Sequence, residues 1–300
     1  MVESAFTVAV CCLLALAFNG VIWRWQGSEA ALQFSTGYLL EWSLSMDNVF
    51  VFAVIFRYFQ VPRVFQYRIL YWGILGAILT RLTFILAGAA LISRFQFILP
   101  LFGFFLIYTA YRLAWHASDR IDPQRNFVFR LARRWLPLAE SGVGIGPPSG
   151  KGGLMPTLPP AMDYGRQFVV RQAGRLRITP PLLVLLVVES TDVLFAVDSI
   201  PAIFGITRDP LIIFTSNIFA ILGLRALYFL LAGVMDMFRY LHYGLAAVLA
   251  FVGLKMVGES WLLREAGTEL MPVWASLAVI AALLGVAIVA SMLGQKESLP

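Results

Sequence analysis

Residues 187–205 read VVESTDVLFAVDSIPAIFG. Glu189, Asp192 and Asp198 interrupt a run that is otherwise apolar enough to be one pass of a membrane helix. An acid at the centre of a bilayer costs about 2.5–3.5 kcal/mol on insertion scales, so three in one span demand a compensating chemistry. The first question is whether the rest of the chain is built for a membrane.

Its composition says so. Hydrophobic residues make up 60% of the 300 and charged residues only 13%, with a mean hydropathy of +0.80. Soluble domains are roughly 45–50% apolar and about 25% charged. The chain reads as an all-α integral membrane protein, and its net charge of +6 bears on topology and anionic lipid rather than on nucleic acid. Apolar stretches long enough to span lie at 5–23, 34–56, 69–91, 95–113, 181–204, 211–232, 241–258 and 271–293, which predicts about eight transmembrane helices. No period-2 strand pattern is read among them. The first stretch has no Lys or Arg ahead of it and no small-residue cleavage site after it, so it is expected to remain as a span. Cys11 and Cys12 are neighbours in that stretch and point apart on a helix, so no disulfide joins them.

Between 114 and 180 the character changes. RIDPQRNFVFRLARRW is basic, RLARRWLPL is read as an amphipathic turn or two on the membrane surface, and SGVGIGPPSGKGGLMPTLPP is Gly/Pro-rich and expected to be disordered. Residues 112 to 177 hold 11 of the 23 Lys and Arg. The positive-inside rule places this loop in the cytoplasm. The 57–68 loop, with Arg57, Arg63 and Arg68, falls on the same side, and so do both termini. The expected location is the bacterial inner (plasma) membrane. GIGPPSGKGG lacks the phosphate-loop spacing and opens no helix, His116 and His242 read as loop residues, and Lys255 as a cation snorkelling from its span.

The chain also repeats itself. FRYFQVP (56–62) and FGITRDP (204–210) close the two acid-bearing spans, and LTRLTFILAGAALISRF (79–95) is similar to LGLRALYFLLAGVMDMFRY (222–240). The reading is an N-terminal helix and outer loop (1–33), a three-helix repeat (34–113), the basic loop (114–180), a second three-helix repeat (181–258) and a C-terminal helix and tail (259–300). Three spans per repeat put corresponding helices in opposite orientations, the inverted plan of many secondary transporters.

The first repeat carries its own acids, Glu41 and Asp47, in YLLEWSLSMDNVFVFAVIF. Matching Pro62 with Pro210 aligns Glu41 with Glu189, whereas matching the six-residue gap aligns Glu41–Asp47 with Asp192–Asp198; both registers stand. Glu189 and Asp192 share a helix face, and Asp198 lies about 180° round from Glu189 on a straight helix. Pro201 cannot donate to the carbonyl of Val197, so a kink or unwinding near Asp198 is expected to turn that acid inward. Ser43, Ser45 and Asn48 flank Asp47, and Asn217 offers an amide one span later. Carboxylate, amide and hydroxyl oxygens suit Mn²⁺, Ca²⁺ or Mg²⁺; the two His and two Cys give no soft-metal cluster. Arg81 and Arg225 are read as counter-charges that hold the acids when no metal is bound.

The stretches GYLLEWSLSMDNVFVFAVIF, VVESTDVLFAVDSIPAIFGITRDP and FTSNIFAILGLRALYFLLAG resemble the TerC family of integral membrane proteins, which includes Alx-type members, and the resemblance runs from about residue 30 to 258. It implies metal-ion homeostasis, chiefly Mn²⁺ efflux, with tellurium resistance as the historical label. It implies acidic site positions at Glu41, Asp47, Glu189, Asp192 and Asp198. Family members usually open with a further acidic span, and this chain is expected to start at the family's second helix.

The favoured expectation is a non-enzymatic exporter of a divalent cation, most naturally Mn²⁺, through a midplane acidic site. Its rival is a membrane scaffold that assists assembly or metal loading of exported proteins, partnering them through the 114–178 loop. An intramembrane protease is disfavoured because the YD and GxGD motifs are absent.

Overall fold

A computed structural model describes residues 2–59, 61–95, 97–115, 131, 168–172, 175–231, 240–262 and 271–294. His116 and the stretches RLARRWLPL (but for Leu131) and SGVGIGPPSGKGGLMPTLPP lie outside the described residues. Eight long helices are present among them: α1 (Val2–Gln26), α2 (Ser28–Tyr58), α3 (Arg63–Arg94), α4 (Ile98–Trp115), α5 (Pro180–Phe204), α6 (Pro210–Leu231), α7 (Leu241–Leu262) and α8 (Val273–Gly294). Each is long and apolar enough to cross a membrane. The protein is a multi-pass integral membrane protein. Its helices follow the expected spans and overrun several of them. At 31 and 32 residues, α2 and α3 extend about 47 Å, well past the roughly 30 Å hydrocarbon core.

The chain divides into two compact units. The larger comprises residues 1–50, 77–120 and 193–300, and the smaller 51–76 and 121–192, so α2, α3 and α5 each contribute to both.

In the larger unit, α1 turns into α2 through a single residue. Gly27 has φ 94°, a conformation that L side chains rarely adopt, and its amide donates to the Trp23 carbonyl at 3.1 Å to close the end of α1. The reversal lays α1 against α6: Ile22, Ala31, Phe34 and Ile212 form a buried cluster, with the Phe18 and Phe219 rings 4.8 Å apart beside it. A second cluster joins Ile85 of α3, Ala196, Ile200, Ile203 and Phe204 of α5, and Ile213 of α6. The outer side chains of α1, Leu13 and Leu16 among them, stay exposed, as a lipid-facing surface requires. Helix α4 packs on α7 at glycines. A Cβ on Gly253 would stand 2.7 Å from the Gly103 carbonyl oxygen, so the two backbones touch where neither residue has a side chain.

Among the described residues, the smaller unit contains one departure from an all-helical reading. Strands β1 (Val169–Gln172) and β2 (Arg175–Ile178) pair antiparallel, Val169 opposite Ile178 and Arg171 opposite Leu176. Each strand is only four residues long and sits within an Arg-rich loop, so its alternation is too brief to stand out from the basic background. The ribbon is tied down at its base. The Thr179 amide donates to the Phe168 carbonyl at 3.0 Å, and the Phe168 ring lies beneath the Arg68 guanidinium, 4.5 Å from centroid to carbon.

Two further expectations change. Lys255 does not snorkel: it is buried, its Nζ donates to the Gly205 carbonyl at 3.4 Å and lies 3.6 Å from Glu259 one turn away. A lysine that finds a helix-end carbonyl and an acid inside the protein has no need to reach for the interface. His242 is the second residue of α7, its ring tilted against that of Tyr243, not a loop residue.

The glycine contact gives a test. Gly253→Val should lower the thermal midpoint of the detergent-solubilised protein by several degrees, in line with an overpacking cost of about 1–3 kcal/mol. Gly285→Val, where nothing stands within 4 Å of the added carbon, should leave it unchanged. Equal midpoints for both variants would contradict the close approach of α4 and α7.

Candidate functional site

The polar residues of α2, α3, α5 and α6 in the larger unit converge on one guanidinium. Arg81 of α3 is 2% exposed, and Glu41 of α2 has no exposed surface. Arg81 Nη1 donates to Glu41 Oε1, forming a fully buried ion pair. The same nitrogen donates to Asn217 Oδ1 of α6 at 2.7 Å and lies 3.4 Å from Ser199 Oγ of α5. Ser45, one turn from Glu41 on α2, points its hydroxyl at the same carboxylate oxygen at 3.5 Å. Asn217 is oriented by its own helix: its Nδ2 donates to the Ile213 carbonyl at 2.9 Å, which leaves the amide oxygen for the cation. Three helices thus present oxygen atoms to one buried positive charge carried by a fourth. Two ions out of water are costly, and the added oxygens are what make the pair tenable in an apolar interior.

The close packing that brings these groups together depends on Gly37, one turn before Glu41. A Cβ there would meet Ile203 Cδ1 at 2.9 Å and Ser216 Oγ at 3.0 Å, so α2 approaches α5 and α6 where it has no side chain.

Asp198 does not face this network. Helix α5 runs unbroken through Pro201 to Phe204, and no unwinding turns Asp198 toward Arg81. Pro201 withholds an amide from the Val197 carbonyl, yet the helix continues past it, and the Gly205 amide closes onto the Pro201 carbonyl at 3.2 Å. With the helix continuous, Ser199 faces Arg81 and Asp198, about 100° away, faces α4, where Thr109 donates to it at 3.3 Å. Arg112 lies one turn further along α4 and places its positive charge nearby.

The remaining acids differ in kind. Asn48 is buried beside Asp47 on α2, whereas Asp47 itself is half-buried and takes no hydrogen bond or ion pair among the described residues. In the smaller unit, Asp192 is buried and Glu189, one turn before it on α5, is half-buried. Glu189 likewise has no hydrogen-bond or ion-pair partner among the described residues. Arg225 is exposed on α6, near Cys11 of α1, and is not part of the Arg81 network. Cys11 and Cys12 are free thiols. Among the described residues, no three His, Cys, Asp or Glu side chains gather as a metal-holding group. Sequence reasoning missed Ser199 and Thr109. The only signal for Ser199 was its place beside Asp198, and Thr109 sits in a span with no acid to draw attention to it.

These features define a multi-pass membrane protein with a buried, oxygen-lined cation position and further acids along the same helices. The chain belongs to the integral membrane protein TerC family, whose pattern it matches over residues 26–299. It is 45% identical over 285 residues to the Myxococcus xanthus membrane protein STKORF319, covering 95% of this chain and 81% of that one. It is 43% identical over 265 residues to the putative membrane-bound redox modulator Alx of Escherichia coli K12, covering 86% and 76%. With the chloroplastic thylakoid membrane protein TERC of Arabidopsis thaliana it shares 41% identity over 251 residues, covering 84% and 60%. No solved structure matches it.

The buried pair makes a prediction about stability. Arg81→Met leaves Glu41 without its cation and should destabilise the protein by about 3–5 kcal/mol. Adding Glu41→Gln to that variant should recover most of the loss, as read by thermal unfolding in detergent. A double variant no more stable than Arg81→Met alone would mean the two residues are not coupled.

Proposed function

We propose that this protein exports a divalent metal cation, Mn²⁺ by preference, using the acids of α2 and α5 as its ligands. The observation that carries the reading is the environment of Arg81 Nη1. It is a cation position inside a membrane protein, surrounded by one carboxylate, one amide and one hydroxyl oxygen. That is the donor set of a hard divalent ion. The guanidinium acts as the resident positive charge, keeping Glu41 compensated when no metal is present. A divalent ion brings twice the charge to the same oxygens, so it competes for Glu41 once Arg81 swings away. Asp47 and Glu189, which have no hydrogen-bond or ion-pair partner among the described residues, serve as carboxylates from which an arriving ion displaces only water or a proton. Asp192 and Asp198 extend the acidic line along α5.

The two three-helix halves, 34–113 and 181–258, act as an inverted pair whose rocking alternates access to the two sides. Protonation of the same acids would return the carrier and make it an antiporter. In this reading the protein lies in a bacterial plasma membrane with the 114–178 loop and both termini in the cytoplasm, so that export draws on the cytoplasmic ion. The protein is not an enzyme, and metal is cargo rather than a resident cofactor.

The redox role in the name of the Alx relatives has one pair of thiols to draw on here, Cys11 and Cys12. Adjacent residues on a helix point apart, which leaves the cation reading better supported.

Cells that depend on this protein for Mn²⁺ tolerance test the proposal. Asp47→Asn or Asp192→Asn, expressed at the wild-type level, should reduce tolerance to that of cells without the protein. Arg225→Gln should preserve it. Normal tolerance with either acid neutralised would count decisively against the acids as the ion's ligands.

A further inference from the structure

Among the described residues, no hydrogen bond holds Glu189 in place. Its seat is a notch on α3 in the smaller unit, formed by Gly73 and Gly76, one turn apart in YWGILGA. The notch is graded. A Cβ on Gly73 would stand 3.6 Å from Val188 Cγ1 and 3.9 Å from Glu189 Oε1, which is ordinary contact. A Cβ on Gly76 would fall on the Glu189 carboxylate itself, with Oε1, Oε2 and Cδ as its three nearest atoms. The carboxylate therefore lies flat against the backbone of α3 where the side chain is missing.

Nothing in the backbone requires glycine there. Gly76 is mid-helix, and the positive-φ glycine among the described residues is Gly27. A helix-interior glycine is less stable than alanine, so its presence calls for a steric reason. The carboxylate supplies one. Among the described residues the carboxylate takes no hydrogen bond, so its lone pairs remain available. Asp192, one turn on, adds negative charge close by.

We propose that Gly76 is a positioning residue: its missing side chain seats the Glu189 carboxylate, uncovered, so that both oxygens stay open to a divalent cation. This rests on the cation-carrier reading above. An alanine at 76 would push the carboxylate off the notch, whereas an alanine at 73 would not.

The test is the labelling of Glu189 by a hydrophobic carbodiimide in the full-length protein in lipid vesicles, with Mn²⁺ added as protectant and the modified peptide quantified by mass spectrometry. Wild type and Gly73→Ala should be protected at similar Mn²⁺ concentrations, within about twofold. Gly76→Ala should need about tenfold more, the scale on which loss of a positioning contact weakens a metal site. Shortening the acid makes room for the methyl group, so Gly76→Ala/Glu189→Asp should recover part of the protection at position 189. A merely structural glycine would not give that rescue. Protection of Gly76→Ala at the wild-type concentration overturns the positioning role while leaving the carrier reading intact. No Mn²⁺ protection in folded wild type overturns both. Should Gly76→Ala alone fail to give monodisperse protein, Gly76→Ala/Glu189→Ala must restore it. Failure to do so would assign the glycine to packing and end the proposal.

Discussion

The ion pair between Glu41 and Arg81 is the constraint around which the larger unit is arranged. Neither residue has appreciable contact with the outside, and in an apolar interior each alone would be an uncompensated charge. Keeping both requires oxygens from α5 and α6 as well as α2. Those helices must approach closely enough to deliver Ser199 and Asn217 to one nitrogen. The approach in turn needs a residue without a side chain at Gly37, because Ile203 and Ser216 occupy the space a Cβ would take. The polar network thus specifies how four helices pack. Between apolar helices in lipid, hydrophobic burial supplies no driving force that would do so.

This organisation explains why the acids of the two helices behave differently although the motifs look alike. Glu41 is compensated by Arg81, and Asp198 is held by Thr109 on α4. Asp47 and Glu189 have neither kind of partner among the described residues. A protein selected only for stability would pair such acids or replace them. The proposed carrier needs some carboxylates that an arriving ion can reach and others whose charge is managed until it arrives. In the proposed carrier, Glu189 is an open acid kept in place by the shape of α3, with no hydrogen-bond donor among the described residues.

Much of this was legible in the sequence. Eight apolar runs of membrane length stand out because no soluble architecture needs them, and the helices overran them at α2 and α3 because a helix does not end where the hydrocarbon does. The acids were legible for the same reason, as costly residues in a setting that tolerates few. What sequence leaves open is rotation. Arg81 is marked as a cation that needs a partner, but its choice of Glu41, Asn217 and Ser199 depends on how four helices turn about their axes. The proline at 201 misled for a related reason. Its missing donor predicts a break, yet α5 continues through it to Phe204 and keeps Asp198 on the α4 side. Lys255 reads as an interfacial cation until the end of α5 is seen to lie beside it. The short ribbon at 169–178 is hidden by its own arginines.

These acids are proposed to carry a divalent ion across the membrane. The most direct measurement is Mn²⁺ uptake into proteoliposomes containing the purified protein, wild type beside Glu41→Gln, with both shown to be folded. Wild type is expected to show saturable uptake, and the variant none above background. No saturable uptake by folded wild type, or equal uptake by the variant, would contradict it.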